Sequence, residues 1–180
     1  RLFSKFHVIS AQETIRATVI GAGTYTTTIS GSTIAYADGL FPMKNIPVLK
    51  LSETEENDCW LGKSEGLKEK ILWFLKQSDS SKIVLAVNGK KNPGYTELKP
   101  FAAALGYGMH ATIPTGEPLL FVVREDMAKA LGQALALRLG PNAEILCIDR
   151  VKVSEGSYLD VGAPVGPALP VVVKTLVLGK

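Results

Sequence analysis

Apolar and polar positions change their rhythm along the chain, and each change predicts a different kind of element. From Lys82 onward, short continuous apolar runs recur, IVLAV (Ile83 to Val87) and LLFVV (Leu119 to Val123), and EILCI (Glu144 to Ile148), apolar after its glutamate, reads as a third strand. Unbroken runs of this length are expected of strands covered on both faces. Between the first two, NGKKNPG leads into a predicted helix from about Thr96 to Met109, with Pro100 tolerable only near its first turn. A further helix is predicted from Asp126, the expected N-cap, to Leu139, where Gly140-Pro141 stops it. Met127, Leu131 and Leu135 line one side of that helix. Strand, helix, strand, helix, strand predicts right-handed crossovers and a parallel sheet over residues 82–150.

Upstream, Leu61 to Lys76 has helical period: Leu67, Ile71, Phe74 and Leu75 form an apolar stripe, while Lys63, Glu69, Lys70 and Lys76 face water. SETEEND (Ser52 to Asp58) reads as an acidic surface segment. GSTIAYADGLFPMKNIPVLKL reads as two strands around a turn at Ala37-Asp38-Gly39. Pro42 and Pro47 in it point to an edge or irregular pairing. After residue 150, the chain reads as short strands with tight turns at Glu155-Gly156 and Asp160-Val161-Gly162, a β tail over 151–180.

The stretch from Ser10 to Thr33 admits two readings. VIGAGT could be a glycine-rich phosphate loop after a strand, the start of a dehydrogenase-type site. The dinucleotide fingerprint needs a third glycine, and Thr26 stands in its place; no Walker Gly-Lys-Ser with its upstream glycine occurs. The other reading is a helix. Ser10 and Glu13 make the S-x-x-E capping box, and Ile15, Val19, Ala22 and Thr26 follow at helical spacing after the strand FHVI (Phe6 to Ile9). The named start favours the helix, with Gly21 and Gly23 allowing close packing at a cost of about 1 kcal/mol each.

Composition narrows the class. The chain has 180 residues, enough for one domain or one domain plus part of another. Lys and Arg exceed Asp and Glu by 20 to 17 and are scattered, which does not suggest a nucleic-acid partner. The apolar runs are far shorter than the roughly 20 residues of a membrane span, and residues 1–9 are too polar for a signal peptide. Cys59 and Cys147 read as buried free thiols, and His7 and His110 as surface or satisfied histidines. No C-x-x-C, H-x-x-x-H or G-x-S-x-G occurs, so redox, metal and hydrolase readings lack support.

One place has the geometry of a ligand site. Ligands bind beyond the carboxyl ends of parallel strands. That edge would present Asn88, Gly89, Lys90 and Lys91 after one strand, and Arg124, Glu125 and Asp126 after the next. Lys90, Lys91 and Arg124 are therefore candidate anion-binding residues, beside a helix N-terminus at Asp126. On this reading the chain is a free-standing α/β domain that binds a small anion or nucleotide. The bland alternative is a solvated loop and a capped helix.

Four separated segments carry a resemblance over nearly the whole chain: IRATVIGAGTYTTTISGSTI, NIPVLKL, DMAKALG, and SEGSYLDVGAPV with LPVVVKTLVL. Together they resemble the C-terminal portion of the ethanolamine ammonia-lyase reactivating factors, the EutA family of ethanolamine-utilisation proteins. The resemblance implies an actin- and heat-shock-chaperone-like ATPase that uses ATP and Mg to exchange damaged cobalamin for adenosylcobalamin on a cobalamin-dependent lyase. It also implies ethanolamine ammonia-lyase as partner and a bacterial cytoplasmic setting associated with a microcompartment. The nucleotide motifs of that superfamily, D-x-G-T, D-x-G-G-G-T and S-G-G, are absent here; in the family they lie upstream. The resemblance thus implies a C-terminal piece with no cofactor and no catalysis of its own, and with no nucleic-acid or membrane partner. Residues 1–30 would be the closing strand and helix of the actin-like module, where Gly21 and Gly23 approach nucleotide only indirectly. Residues 31–180 would be an appended α/β domain with a mostly parallel sheet and a β-rich tail.

Overall fold

Seven strands hydrogen-bond into one sheet in the computed structural model of the chain, which describes residues 24–30, 41–165 and 168–175. In chain order the elements are β1 (Thr24–Ser30), β2 (Met43–Lys50), α1 (Glu53–Trp60), α2 (Glu65–Ser78) and β3 (Val84–Val87). They continue as α3 (Tyr95–His110), β4 (Leu119–Val123), α4 (Ala128–Leu139), β5 (Ile145–Ile148), β6 (Ser157–Val161) and β7 (Leu169–Thr175). The sheet order is β1-β7-β6-β2-β3-β4-β5.

The parallel half forms as its sequence demands. β2, β3, β4 and β5 are neighbours in chain order and pair in parallel, with Leu85 opposite Phe121 and Phe121 opposite Cys147. Right-handed crossovers between strands laid down in one direction put every crossover helix on the same face. Strand side chains alternate accordingly. Leu49, Leu85, Phe121 and Cys147 join one core with Ile71 of α2, Phe101 and Leu105 of α3 and Leu131 of α4. Val84, Ala86, Leu120 and Ile148 point the other way, into a second core.

That second core closes the fold. It is completed by Leu159 and Val161 of β6 and Leu169, Val171 and Val173 of β7. These strands belong to the same sheet, so the sheet curls until its antiparallel half covers the inner face of its parallel half. Burial on both faces explains the continuous apolar runs, at roughly 1.5–3 kcal/mol for each large side chain buried. The sheet is therefore mixed: three described pairings are parallel and three antiparallel, so the expected mostly parallel sheet is corrected. β1 pairs with β7 from Thr24 opposite Thr175 to Ser30 opposite Leu169, which ties a strand within residues 1–30 to the tail.

Several local expectations change. Thr26 lies in β1, so the stripe drawn through Ile15, Val19 and Ala22 does not extend to it; TYTTTIS follows the strand preference of its β-branched residues. The rest of that helix, with Gly21 and Gly23, the strand FHVI and the turn at Ala37-Asp38-Gly39 all lie outside the described residues. β2 is central rather than an edge. Pro47 fits there because it faces Tyr158 across the antiparallel pair, one residue before parallel pairing with β3 begins at Val48. The pairing is irregular: a register shift falls between Met43 and Ile46, with Asn45 at a φ of 54°. Asp160 holds that bulge, accepting from the Asn45 backbone at 2.7 Å, while Lys174 pairs with Asp160 and donates to the Asn45 side chain at 2.9 Å. Asp160 and Val161 consequently sit inside β6 and not in a turn; Gly156, at a φ of 74°, does make the predicted one.

SETEEND is a helix. Ser52 caps α1 and Glu55 returns the bond in a capping box, Ser52 N–H donating to Glu55 at 2.8 Å. Lys70 of α2 reaches the same carboxylate at 2.6 Å and joins the two helices. Burial alone would raise the Glu55 pKa, but the bonds from Lys70 and Ser52 outweigh it and hold the carboxyl below its usual range. Asp126 does not cap α4; its carboxylate pairs with Arg150, and Met127 occupies the cap position.

Two predictions follow from this packing. Because the folded pKa of Glu55 is lowered, the unfolded chain takes up its proton first. The stability it contributes is full above the ordinary value of 4.5 and is lost as pH falls below it. Lys70→Met should flatten that acid limb in urea melts between about pH 5 and pH 3. A Cβ on Gly108 would stand 2.8 Å from Leu67 where α3 crosses α2, whereas one on Gly66 meets nothing within 4 Å. Gly108→Ala should cost about 1–3 kcal/mol of unfolding free energy, and Gly66→Ala should be neutral or stabilising by up to about 1 kcal/mol.

Candidate functional site

The carboxyl ends of β2 to β5 form one edge, and the residues that follow them decide its chemistry. The turn after β3 is organised by a buried carboxylate. Glu56, on the inner side of α1, is 5% exposed. One of its oxygens accepts the Asn88 backbone N–H at 2.8 Å and the other the Gly89 N–H at 2.7 Å. Trp60, one helical turn on, directs its indole N–H to the same carboxylate at 3.5 Å and stacks on Phe101 of α3 at 3.8 Å between ring centroids. Gly89 is required at this turn: its φ is 80°, and a Cβ would stand 2.7 Å from the Met127 sulfur and 2.8 Å from Val123.

The anion that this backbone turn attracts is therefore one the protein supplies. A nest of two N–H groups at a strand end is a common phosphate cradle; here Glu56 fills it. The acidic segment around Glu56 reads from sequence as solvated, which hides this residue. The signal that could have found it is the Ser52-x-x-Glu55 box, the same pattern seen at Ser10.

The three predicted anion-binding residues do not converge. Lys90 turns to the helical face, its Nζ 4.4 Å from the Trp60 ring centroid and 3.6 Å from Glu97. Lys91 is exposed on the following loop. Arg124, after β4, goes to the inner face, where it lines a cavity of about 250 Å3 with Lys50, Val87, Asn88, Val151 and Lys152. Lys50 ends β2 and Lys152 follows β5, so neither is near Arg124 in sequence.

At the far side of the edge, Asp126 pairs with Arg150, whose bond and charge hold the Asp126 carboxyl below its usual range and raise the guanidinium. Asp149 is buried beside this pair. Both cysteines are buried and free. Burial, helped by the charges of Glu56 and Asp58, pushes the Cys59 thiol up to about 12, and burial alone raises that of Cys147. Neither is a ready nucleophile. Among the described residues no group of three or more His, Cys, Asp or Glu side chains is placed to hold a metal ion, and no helix is long and apolar enough to cross a membrane.

Comparison with known proteins places the chain. The family described as "Ethanolamine utilisation protein EutA" matches residues 1–179. The chain belongs to the EutA family. It is 35% identical over 167 residues to the ethanolamine ammonia-lyase reactivase EutA of Salmonella typhimurium strain LT2, and 34% identical over 167 residues to that of Escherichia coli strain K12. Each match covers 91% of this chain and 34% of the relative, so the chain spans about a third of the length of these EutA proteins, in their C-terminal portion. No solved structure matches it.

Glu56→Ala removes the acceptor for two amides at the β3 turn. It should lower unfolding free energy by about 2–6 kcal/mol, at roughly 1–3 kcal/mol per stranded N–H. Glu56→Gln keeps one acceptor oxygen and should fall between Glu56→Ala and the parent in urea denaturation.

Proposed function

We propose that this chain is the C-terminal, non-catalytic part of a reactivating factor for ethanolamine ammonia-lyase. The observation that carries the reading is the family match over residues 1–179, together with 34–35% identity to two reactivases. In this reading the whole protein exchanges damaged cobalamin for intact adenosylcobalamin on the lyase. ATP and Mg act in an actin-like module that precedes most of this chain, in a bacterial cytoplasm. Residues 1–30 close that module and residues 31–180 form the appended domain. β1 is then the seam, since it falls within 1–30 and hydrogen-bonds to β7. The domain's part is structural and partner-contacting, and no cofactor is assigned to it.

The test is a reactivation assay on lyase inactivated with its spent cofactor in place. The 180-residue chain added alone, with ATP, Mg and adenosylcobalamin, should leave the lyase inactive, whereas the whole protein under the same conditions should restore turnover. Restoration by the chain alone would sink the reading, and so would failure of the whole protein.

A further inference from the structure

The cavity behind Arg124 has the features of a site for a small, highly charged anion. Three cations line it: Lys50 from the end of β2, Arg124 from the end of β4 and Lys152 from the segment after β5. Among the described residues none of the three has an ion-pair partner. Six other described cations are ion-paired: Lys63, Lys70, Lys82, Lys90, Arg150 and Lys174.

Two acids at this edge are already committed. Glu56 is turned to the Asn88 and Gly89 amides, and Asp126 to Arg150. Asn88 also lines the hollow, with its backbone N–H held by Glu56. One guanidinium and two ammonium groups on the residues that line the hollow match the several oxygens of a phosphate better than a single carboxylate. Size narrows the ligand further. About 250 Å3 is below the roughly 300–1,000 Å3 of sites that enclose drug-sized ligands. It has room for one or two phosphoryl groups, not for a whole nucleotide or a corrin ring.

We propose that Lys50, Arg124 and Lys152 form a phosphate-binding site at the carboxyl edge of β2, β3 and β4. It takes a diphosphate-sized anion, free or as the terminal phosphates of a nucleotide whose remainder stays outside. The site is independent of the reactivase reading, and its test needs no lyase.

Calorimetric titration of the full chain with inorganic pyrophosphate, and separately with ADP, measures it. Saturable one-to-one binding is expected, weakened by roughly tenfold to a hundredfold in Arg124→Ala/Lys152→Ala. Arg124→Lys keeps the charge but loses the fork and should weaken binding several-fold. Both residues are exposed and unpaired among the described residues, so the variants should keep the parent's urea midpoint. Neutralising two lysines elsewhere, the half-buried Lys68 and the exposed Lys129, in Lys68→Ala/Lys129→Ala should leave affinity within about twofold. Tighter binding of pyrophosphate than ADP assigns the site to the free ion, and the reverse assigns it to a nucleotide; either supports it. No saturable binding of either ligand overturns the proposal. Equal loss in the Lys68→Ala/Lys129→Ala control, or undiminished binding in Arg124→Ala/Lys152→Ala, overturns it as well.

Discussion

A buried carboxylate at position 56 sets the geometry on which the functional edge depends. A charge taken out of water is costly unless fully bonded. Glu56 meets that condition by accepting two backbone N–H groups from the β3 turn, with Trp60 nearby on the same helix. The bonds fix α1 against the end of β3. They also fix the turn in which Gly89 packs on Met127 of the α4 cap, and the Trp60–Phe101 stack carries the constraint on to α3. Three crossover helices are thus registered to one strand end by a single side chain. The same interaction consumes the backbone donors that would otherwise make this edge a generic anion cradle. Any anion recognition at the edge must then come from side chains on the opposite face.

That opposite face exists because the sheet curls. A singly wound parallel sheet covers one face with helices and leaves the other needing cover. The tail supplies it: β6 and β7 stay in the sheet through β2, yet place Leu159, Val161, Val171 and Val173 over Val84, Leu120 and Ile148. The bulge at Asn45, clamped by Asp160 and Lys174, falls within the β2–β6 pairing where the parallel half gives way to the antiparallel one. Extra twist and bending at a bulge are what a sheet needs to fold back on itself.

What the sequence reveals and what it hides follow from range. IVLAV, LLFVV and EILCI are legible because burial on both faces leaves an unbroken apolar signature within five residues. α3 is legible from its period and its loop, and α4 from its stripe and Gly140. α1 is hidden by composition: its acids suggest solvent, and only the Ser52–Glu55 box betrays a helix. Asp126 looks like a cap because caps are local, whereas its actual partner, Arg150, is 24 residues away. The central place of β2 is hidden because β6, its neighbour on one side, lies more than 100 residues downstream. For the same reason sequence reasoning finds Arg124 but attaches it to Lys90 and Lys91, which follow the preceding parallel strand. It cannot find Lys50 and Lys152, which only the strand order brings to the same hollow.

The family match gives these long-range contacts a further meaning. The matches run over 91% of this chain, and within it β1 lies at one end of the described sheet while the cavity lies within the other half. Between them the sheet offers one hydrogen-bonded route: β1 to β7, β7 to β6, β6 to β2. β2 alone among the described strands belongs to both halves, pairing antiparallel on one side and parallel on the other, and it ends on Lys50. A packed sheet resists continuous deformation, so the two ends are held at a fixed distance and orientation by this route. The position of the cationic hollow relative to β1 is therefore a property of β2's register. That register is set by the Asn45 bulge and by Pro47, the two features that make β2 look irregular in sequence.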